Sequence, residues 1–234
     1  MPGRREFAGV YFSEGILGVV EEILGVRGGE EELVMELFNM LVAPETRDFE
    51  LRWHRDDIPD TATPDEEAHL LASKSPHGRQ SHAQYNLALR HDASLVVVPG
   101  SHRRVRTEAE RNADPYEPNM PGQKAVELRP GDVVFYDSNI LHRGVYRGKP
   151  AGGAESRLTL HGSVGLRQQQ RTDSSSSAGD DDSRVRARAV LQHGVGAWVR
   201  REDAAFGIGE RAERMRANLV AMGTGEDVGY SLQG

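Results

Sequence analysis

Between Leu33 and Val164 the chain is cut into short apolar or alternating segments, each bounded by Pro, Gly, Asp or Asn. Such segments suit strands, and their flanking residues suit turns. Strands are predicted at Leu33–Ala43, Glu50–His54, Ala83–Leu89, Leu95–Val98, Lys124–Leu128, Asp132–Tyr136 and Leu158–Val164. In Arg129-Pro130-Gly131-Asp132 the proline fixes φ at the first corner and the glycine supplies positive φ at the second, the demands of a type II turn. That turn is expected to join Val126-Glu127-Leu128 to Val133-Val134-Phe135 as an antiparallel pair. Helices do not alternate with these strands as a parallel sheet would require, so the pattern predicts a mainly β sandwich or jelly roll.

Helical signals lie at the two ends. Ile16, Leu17, Val19, Val20, Ile23 and Leu24 recur at near-helical spacing and stop at Gly25, predicting a short amphipathic helix packed outside a sheet. Val185–Val199 and Glu210–Met222 also have helical periodicity, the second with Met215, Leu219 and Met222 on one side. Residues 168–182, Gln168 to Asp182, contain no apolar residue large enough to anchor them and are expected to form a disordered loop. The 234 residues therefore suit one domain: a helical segment at 1–32, a β core at 33–166, a loop at 167–184 and a helical tail at 185–234.

Composition removes several kinds of chemistry. The chain has no cysteine, so thiol nucleophiles, disulfides and iron–sulfur clusters are excluded, and any metal must be held by histidine and carboxylate. A formal charge of -7 without a long basic block argues against nucleic acid as a partner. No apolar run approaches the roughly 18 residues of a membrane span, and no signal peptide is seen, so an intracellular, cytoplasmic location is expected.

The chemistry gathers around Leu51-Arg52-Trp53-His54-Arg55-Asp56-Asp57. Side chains alternate along a strand, so His54 and Asp56 share a face while Arg55 and Asp57 take the other. One imidazole and one carboxylate aimed at a point need only a second imidazole to make the 2-His-1-carboxylate set that holds non-haem Fe(II) with open positions. His142, after the strand at Asp132–Tyr136, is the candidate. Arg157 opens the apolar strand Arg157-Leu158-Thr159-Leu160, where a guanidinium would be costly without a carboxylate partner. Its fork suits a dicarboxylic co-substrate, and Thr159, on the same face, could add a hydroxyl donor.

His54-Arg55-Asp56, Asn86-Leu87-Ala88-Leu89, Ser94-Leu95-Val96-Val97-Val98-Pro99-Gly100-Ser101-His102, Pro130-Gly131-Asp132-Val133-Val134-Phe135, Leu141-His142-Arg143-Gly144 and Arg157 follow one another in an order that resembles the phytanoyl-CoA dioxygenase family. The resemblance runs from about Phe38 to Val164. It implies a double-stranded β-helix, a cupin-like jelly roll with flanking helices, and a dioxygenase using Fe(II), 2-oxoglutarate and O2. The implied reaction is hydroxylation of an unactivated C–H bond, with succinate and CO2 as co-products. The resemblance assigns the metal to His54, Asp56 and His142 and the distal carboxylate of 2-oxoglutarate to Arg157. It places Gln84 and Asn86 on an inward face beside the metal, with Asn39 reaching the same pocket. Relatives that halogenate replace the ligand carboxylate with a small residue. Asp56 retains it, which favours hydroxylation or desaturation.

This chain departs from the family pattern in two places: it begins near what would be the end of a longer N-terminal region, and Gly148–Glu155 lengthens the connection from His142 to Arg157. Rival readings are a non-catalytic jelly-roll binding protein and a cupin-like metalloenzyme that does not use 2-oxoglutarate. Asp57 is the alternative carboxylate. His102 is read as bonding its own turn, and His161, which shares the parity of Arg157, as either a pocket residue or a satisfied core histidine. His54-Arg55-Asp56 also spells the start of a kinase catalytic loop, but Thr61 stands where that loop needs an Asn. The expected substrate is a small molecule, lipid-like or a secondary metabolite. Coenzyme A is disfavoured by the acidic chain, with Arg103, Arg104 and Arg106 as the one patch that could serve it.

Overall fold

The computed structural model describes residues 5–26, 32–73, 80–148, 157–167 and 177–223. Its strands are β1 (Leu33–Val42), β2 (Phe49–Glu50), β3 (His82–Ala88), β4 (Leu95–Val97), β5 (Lys124–Ala125), β6 (Val133–Tyr136), β7 (His142–Tyr146) and β8 (Leu158–Leu166). Helices are α1 (Arg5–Tyr11), α2 (Glu14–Leu24), α3 (Pro64–Ser73), α4 (Glu108–Asn112), α5 (Ser177–Val190), α6 (Gly196–Val199) and α7 (Glu210–Met222). The strands form two four-stranded sheets, ordered β1-β8-β3-β6 and β2-β7-β4-β5. The pairings of β2 with β7, β3 with β6, β4 with β5 and β4 with β7 are antiparallel.

The turn at Arg129–Asp132 forms as expected: Gly131 has φ 93° and the Asp132 N–H reaches the Arg129 carbonyl at 2.9 Å. It does not close a hairpin. β5 pairs with β4, whereas β6 pairs with β3, so the turn carries the chain from one sheet to the other. Local turn chemistry fixed the corner, but the partner of each strand was set by burial of its apolar face. The strand expected at Glu50–His54 is likewise reduced to Phe49–Glu50, and β7 is a strand where a connection was expected.

The chain clusters into two compact units. One comprises Met1–Phe38, Arg79–Ala83 and Gly162–Gln233; the other comprises Asn39–Gly78 and Gln84–His161, and the boundaries fall inside β1, β3 and β8. In the first unit α2 ends at Gly25, φ 66°, whose neighbour Val26 donates back to Glu21, the αL stop that glycine permits. The Tyr11 hydroxyl donates to the Ser163 carbonyl at 2.6 Å and accepts from the Glu36 N–H at 3.0 Å, tying α1 to β8 and β1. Glu36, buried, takes a two-pronged ion pair from Arg186 of α5 at 2.6 and 2.8 Å. Met215, Leu219 and Met222 of α7 are buried together, as their spacing predicts. Residues 168–176 of the expected loop lie outside the described residues, and from Ser177 the chain is already helical. A polar sequence forbids a core but not a helix whose far end, Ala187 and Val190, is buried.

In the second unit α3 and α4 were not expected, although both carry legible signals. Thr63 and Glu66 exchange backbone and side-chain bonds around α3, with Pro64 at its first position, and Thr107 and Glu110 do the same for α4. Neither helix has a marked apolar stripe, so hydrophobic periodicity does not announce them. What fixes α3 and α4 is Glu67, fully buried, which faces Arg55 at 3.0 Å, Arg106 at 3.1 Å and also Arg111. Trp53, Val96, Val98, Met120 and Leu141 form one apolar cluster, and Leu95, Val97 and Ile140 pack with Val126, Val134 and Tyr136 in another.

Two stability measurements check these assignments. Arg186 holds the Glu36 carboxyl below its ordinary range even though burial opposes this. Its contribution is therefore present above the unfolded carboxyl pKa and lost as pH falls through the lower folded value. Denaturant unfolding as a function of pH should show an acid-side loss that flattens in Glu36→Gln. Glu67→Ala, which strands the buried guanidiniums of Arg55 and Arg106, should cost roughly 3–5 kcal/mol in urea unfolding at neutral pH.

Candidate metal centre

Past β2 the backbone bulges. Glu50 pairs with Val145 and His54 with His142, so the chain spends four steps on one side against three on the other. The extra residue seats His54 directly across from His142, with each N–H on the other's carbonyl at 3.0 Å. The Asp56 N–H continues to the Ser138 carbonyl at 2.9 Å, and the Trp53 indole donates to the Glu117 carbonyl at 2.8 Å. Arg55, pointing away, bonds the carbonyls of Asn139 and Arg104 and locks the other side of this turn. Asp57 accepts from the Ser138 hydroxyl at 2.6 Å, so it is engaged away from the imidazoles.

This backbone brings three donors together. His54 Nε2 lies 3.4 Å and His142 Nε2 3.7 Å from Asp56 Oδ1, and the three donor atoms lie within 4.8 Å of one another. Each imidazole has its Nδ1 against a carbonyl two residues back, His54 on Arg52 and His142 on Ile140, both at 2.8 Å. A carbonyl only accepts, so both Nδ1 atoms carry the proton and both Nε2 lone pairs face Asp56. That is the orientation a divalent ion needs from its imidazoles. Gln84 donates to Asp56 Oδ2 at 2.9 Å, leaving Oδ1 toward the histidines.

The electrostatics follow. Burial opposes ionisation of Asp56, but the two imidazoles and the Gln84 amide outweigh it and hold the carboxyl far below its ordinary range. Burial likewise works against a charged His54, yet bonding to Asp56 and the Arg52 carbonyl raises its pKa. For His142 burial prevails, with His54 adding to it, and the pKa falls. Two nitrogens and an anionic oxygen, with thiols absent from the whole chain, make a donor set that fits Fe(II).

Beside the triad lie aromatic and charged side chains. Burial pushes up the phenol of Tyr136, whose ring centroid is 5.6 Å from that of His142, and it feels the charges of both Asp56 and Arg157. Tyr146 shares the face of His142 on β7, and its phenol folds back over Gly144, where any Cβ would collide with it. The Arg157 guanidinium sits 4.7 Å over the Tyr146 ring, while Arg157 Nε donates to Asp92 Oδ2 at 2.8 Å. The carboxylate partner that the sequence left Arg157 seeking is thus supplied by the chain itself. Thr159, expected to donate to a co-substrate, donates to the same Asp92 oxygen.

Asn86 is on the face of Gln84 but bonds His161 at 2.9 Å rather than a triad residue. Asn39 is half-buried on β1, and no hydrogen bond among the described residues links it to the triad. Trp53 belongs to the apolar core. Of the arginine patch, Arg104 is paired with Glu110 and Arg106 with Glu67. The connection 149–156 lies outside the described residues. Asp92, Tyr136 and Tyr146 were missed. Asp92-Ala93-Ser94 reads locally as a side-chain-closed turn, and the Asp92 carboxylate does accept from the Ser94 N–H at 2.9 Å. Tyr146 could have been found by extending the parity of His142 along β7.

The family model for phytanoyl-CoA dioxygenase (PhyH) matches residues 3–145, well over half of the chain. The chain belongs to the phytanoyl-CoA dioxygenase family. The match takes in the whole triad, begins far before Phe38 and ends short of Arg157. The cofactors of this family are Fe(II), 2-oxoglutarate and O2. No curated protein matches the chain. Among solved structures, EctD from S. alaskensis with 2-oxoglutarate and 5-hydroxyectoine is similar at 20% identity and TM-score 0.46, over 68% of this chain and 52% of that one. HygX from Streptomyces hygroscopicus with nickel and 2-oxoglutarate bound is similar at 18% and 0.48, over 70% and 68%. SnoN, an alpha ketoglutarate dependent epimerase from nogalamycin biosynthesis, is similar at 17% and 0.48, over 70% and 58%. The chain spans about half the length of EctD. Among the described residues no helix is long and apolar enough to cross a membrane.

Gly144→Ala should evict the Tyr146 phenol and cost about 1–3 kcal/mol in thermal or urea unfolding, the range for overpacking. Tyr146→Ala in the same background should recover much of that loss, because the collision is with this one ring.

Proposed function

We propose that the chain is an Fe(II)- and 2-oxoglutarate-dependent dioxygenase that hydroxylates an unactivated C–H bond of a small organic substrate, lipid-like or a secondary metabolite. The observation that carries the proposal is the pair of imidazoles, each pinned at Nδ1 so that both Nε2 lone pairs converge with Asp56 Oδ1. In this reading His54, Asp56 and His142 hold the metal and Arg157 receives the distal carboxylate of the co-substrate. The order of the strands, passing repeatedly between the two sheets, supports a double-stranded β-helix.

Bound Fe(II) and 2-oxoglutarate would supply the electrons that activate O2, a chemistry that amino-acid side chains lack. The residues do the rest. Gln84 fixes which Asp56 oxygen faces the metal, and the Arg52 and Ile140 carbonyls fix the imidazole rings. Tyr136 and Tyr146 wall the space between the triad and Arg157 with ring carbon, and their raised pKa values keep both phenols neutral donors at physiological pH. Retention of a carboxylate at position 56 favours hydroxylation over halogen transfer. With Arg104 bound to Glu110 and Arg106 buried against Glu67, two of the three cations suggested for coenzyme A are already engaged, which supports a free small molecule.

The test is anaerobic titration of the Fe(II)-loaded protein with 2-oxoglutarate. A weak visible charge-transfer band should appear, vanish in His142→Ala, and need roughly ten- to a hundredfold more 2-oxoglutarate in Arg157→Ala, as loss of charge-assisted hydrogen bonds predicts. Fe(II) uptake without a band would defeat the 2-oxoglutarate reading in favour of a metalloenzyme that does not use it. No Fe(II) uptake would leave a binding protein.

A further inference from the structure

Arg157 is not a bare cation. Asp92, 4% exposed, takes four donors: the Ser94 N–H at 2.9 Å and Ser94 hydroxyl on Oδ1, and Arg157 Nε at 2.8 Å and the Thr159 hydroxyl on Oδ2. It cannot swing aside easily, because its own N–H and carbonyl are paired with Leu128 at 2.9 and 2.8 Å. Burial alone would favour the neutral acid, yet these donors hold its pKa below the ordinary range, so the group is an anion at neutral pH.

Three consequences follow for any molecule reaching Arg157. The guanidinium charge is already neutralised by a fixed carboxylate. Thr159 has spent its single hydrogen, so toward a ligand it can only accept, which a carboxylate cannot use. A second carboxylate arriving at Arg157 would stand close to the anionic Asp92, and in a buried setting like charges repel strongly. An uncharged end escapes this repulsion.

We infer that Asp92 is a co-substrate selectivity residue: it weakens the preference for 2-oxoglutarate and admits 2-oxo acids whose distal end is uncharged. This rests on the reading of the site as a metal and 2-oxo acid centre, and it concerns the opposite end of the co-substrate from the metal.

The experiment is anaerobic calorimetric binding of 2-oxoglutarate and of 2-oxopentanoate to the Fe(II)-loaded full chain, as wild type and as Asp92→Asn, with circular dichroism confirming that the variant is folded. The wild type should bind the two acids with affinities within about tenfold of each other. Asp92→Asn should tighten 2-oxoglutarate and leave 2-oxopentanoate little changed, widening the ratio about tenfold or more. An Asp92 that merely supports the strand would weaken both acids alike, and that result overturns the inference. So does a wild-type preference for 2-oxoglutarate of a hundredfold or more, a criterion that stands even should the variant not fold. If the wild type takes up Fe(II) but binds neither acid, the proposed function fails. The inference then survives only if Asp92→Asn gains 2-oxoglutarate binding, and falls if it does not.

Discussion

Everything in the site depends on two hydrogen bonds of one kind, each from an imidazole Nδ1–H to the carbonyl two residues earlier. Without them either ring could flip or change tautomer, and a converging pair of lone pairs would be one arrangement among several. With them the arrangement is imposed by the backbone, and the backbone is imposed by the reciprocal pairing of His54 with His142. The bulge before His54 is part of the same device. A regular ladder would have set Trp53 opposite His142 and turned both His54 and Asp56 to the other face.

The surroundings answer two opposing demands. Ligand side chains must be dry enough to bind a metal tightly, yet each buried charge needs a partner. The solution is layered: Glu67 is shared by Arg55, Arg106 and Arg111 behind the turn, Asp56 by the histidines and Gln84, and Arg157 lies between Asp92 and a phenol ring. The carboxylates of Glu67 and Asp92 are thus taken up by arginines, whereas Asp56 faces only imidazoles and an amide.

How much was legible in the residues varies with how local the cause is. Strand parity placed His54 and Asp56 on one face and sent Asp57 away, because alternation is a property of a few consecutive residues. The Arg129–Asp132 corner and the helix at Glu210–Met222 were readable for the same reason. The hairpin expected across that corner was not there, since a turn sets a change of direction but not a partner. The caps at Thr63 and Thr107 were present in the letters, and were passed over because their helices are held by a buried ion cluster rather than by an apolar stripe.

Residue type and order alone determined that any metal here would have to be held by histidine and carboxylate, and they put His54 and Asp56 on one face. They could not decide what stands beside Arg157. The sequence presents a cation on an apolar strand, and solvation physics says only that it needs an anion, not whose. The tertiary structure brings Asp92, 65 positions away along the chain, onto that guanidinium, because β8 and the segment before β4 meet in three dimensions. Charge balance in a buried site is a sum over neighbours in space, and that sum is fixed by packing rather than by proximity in the chain.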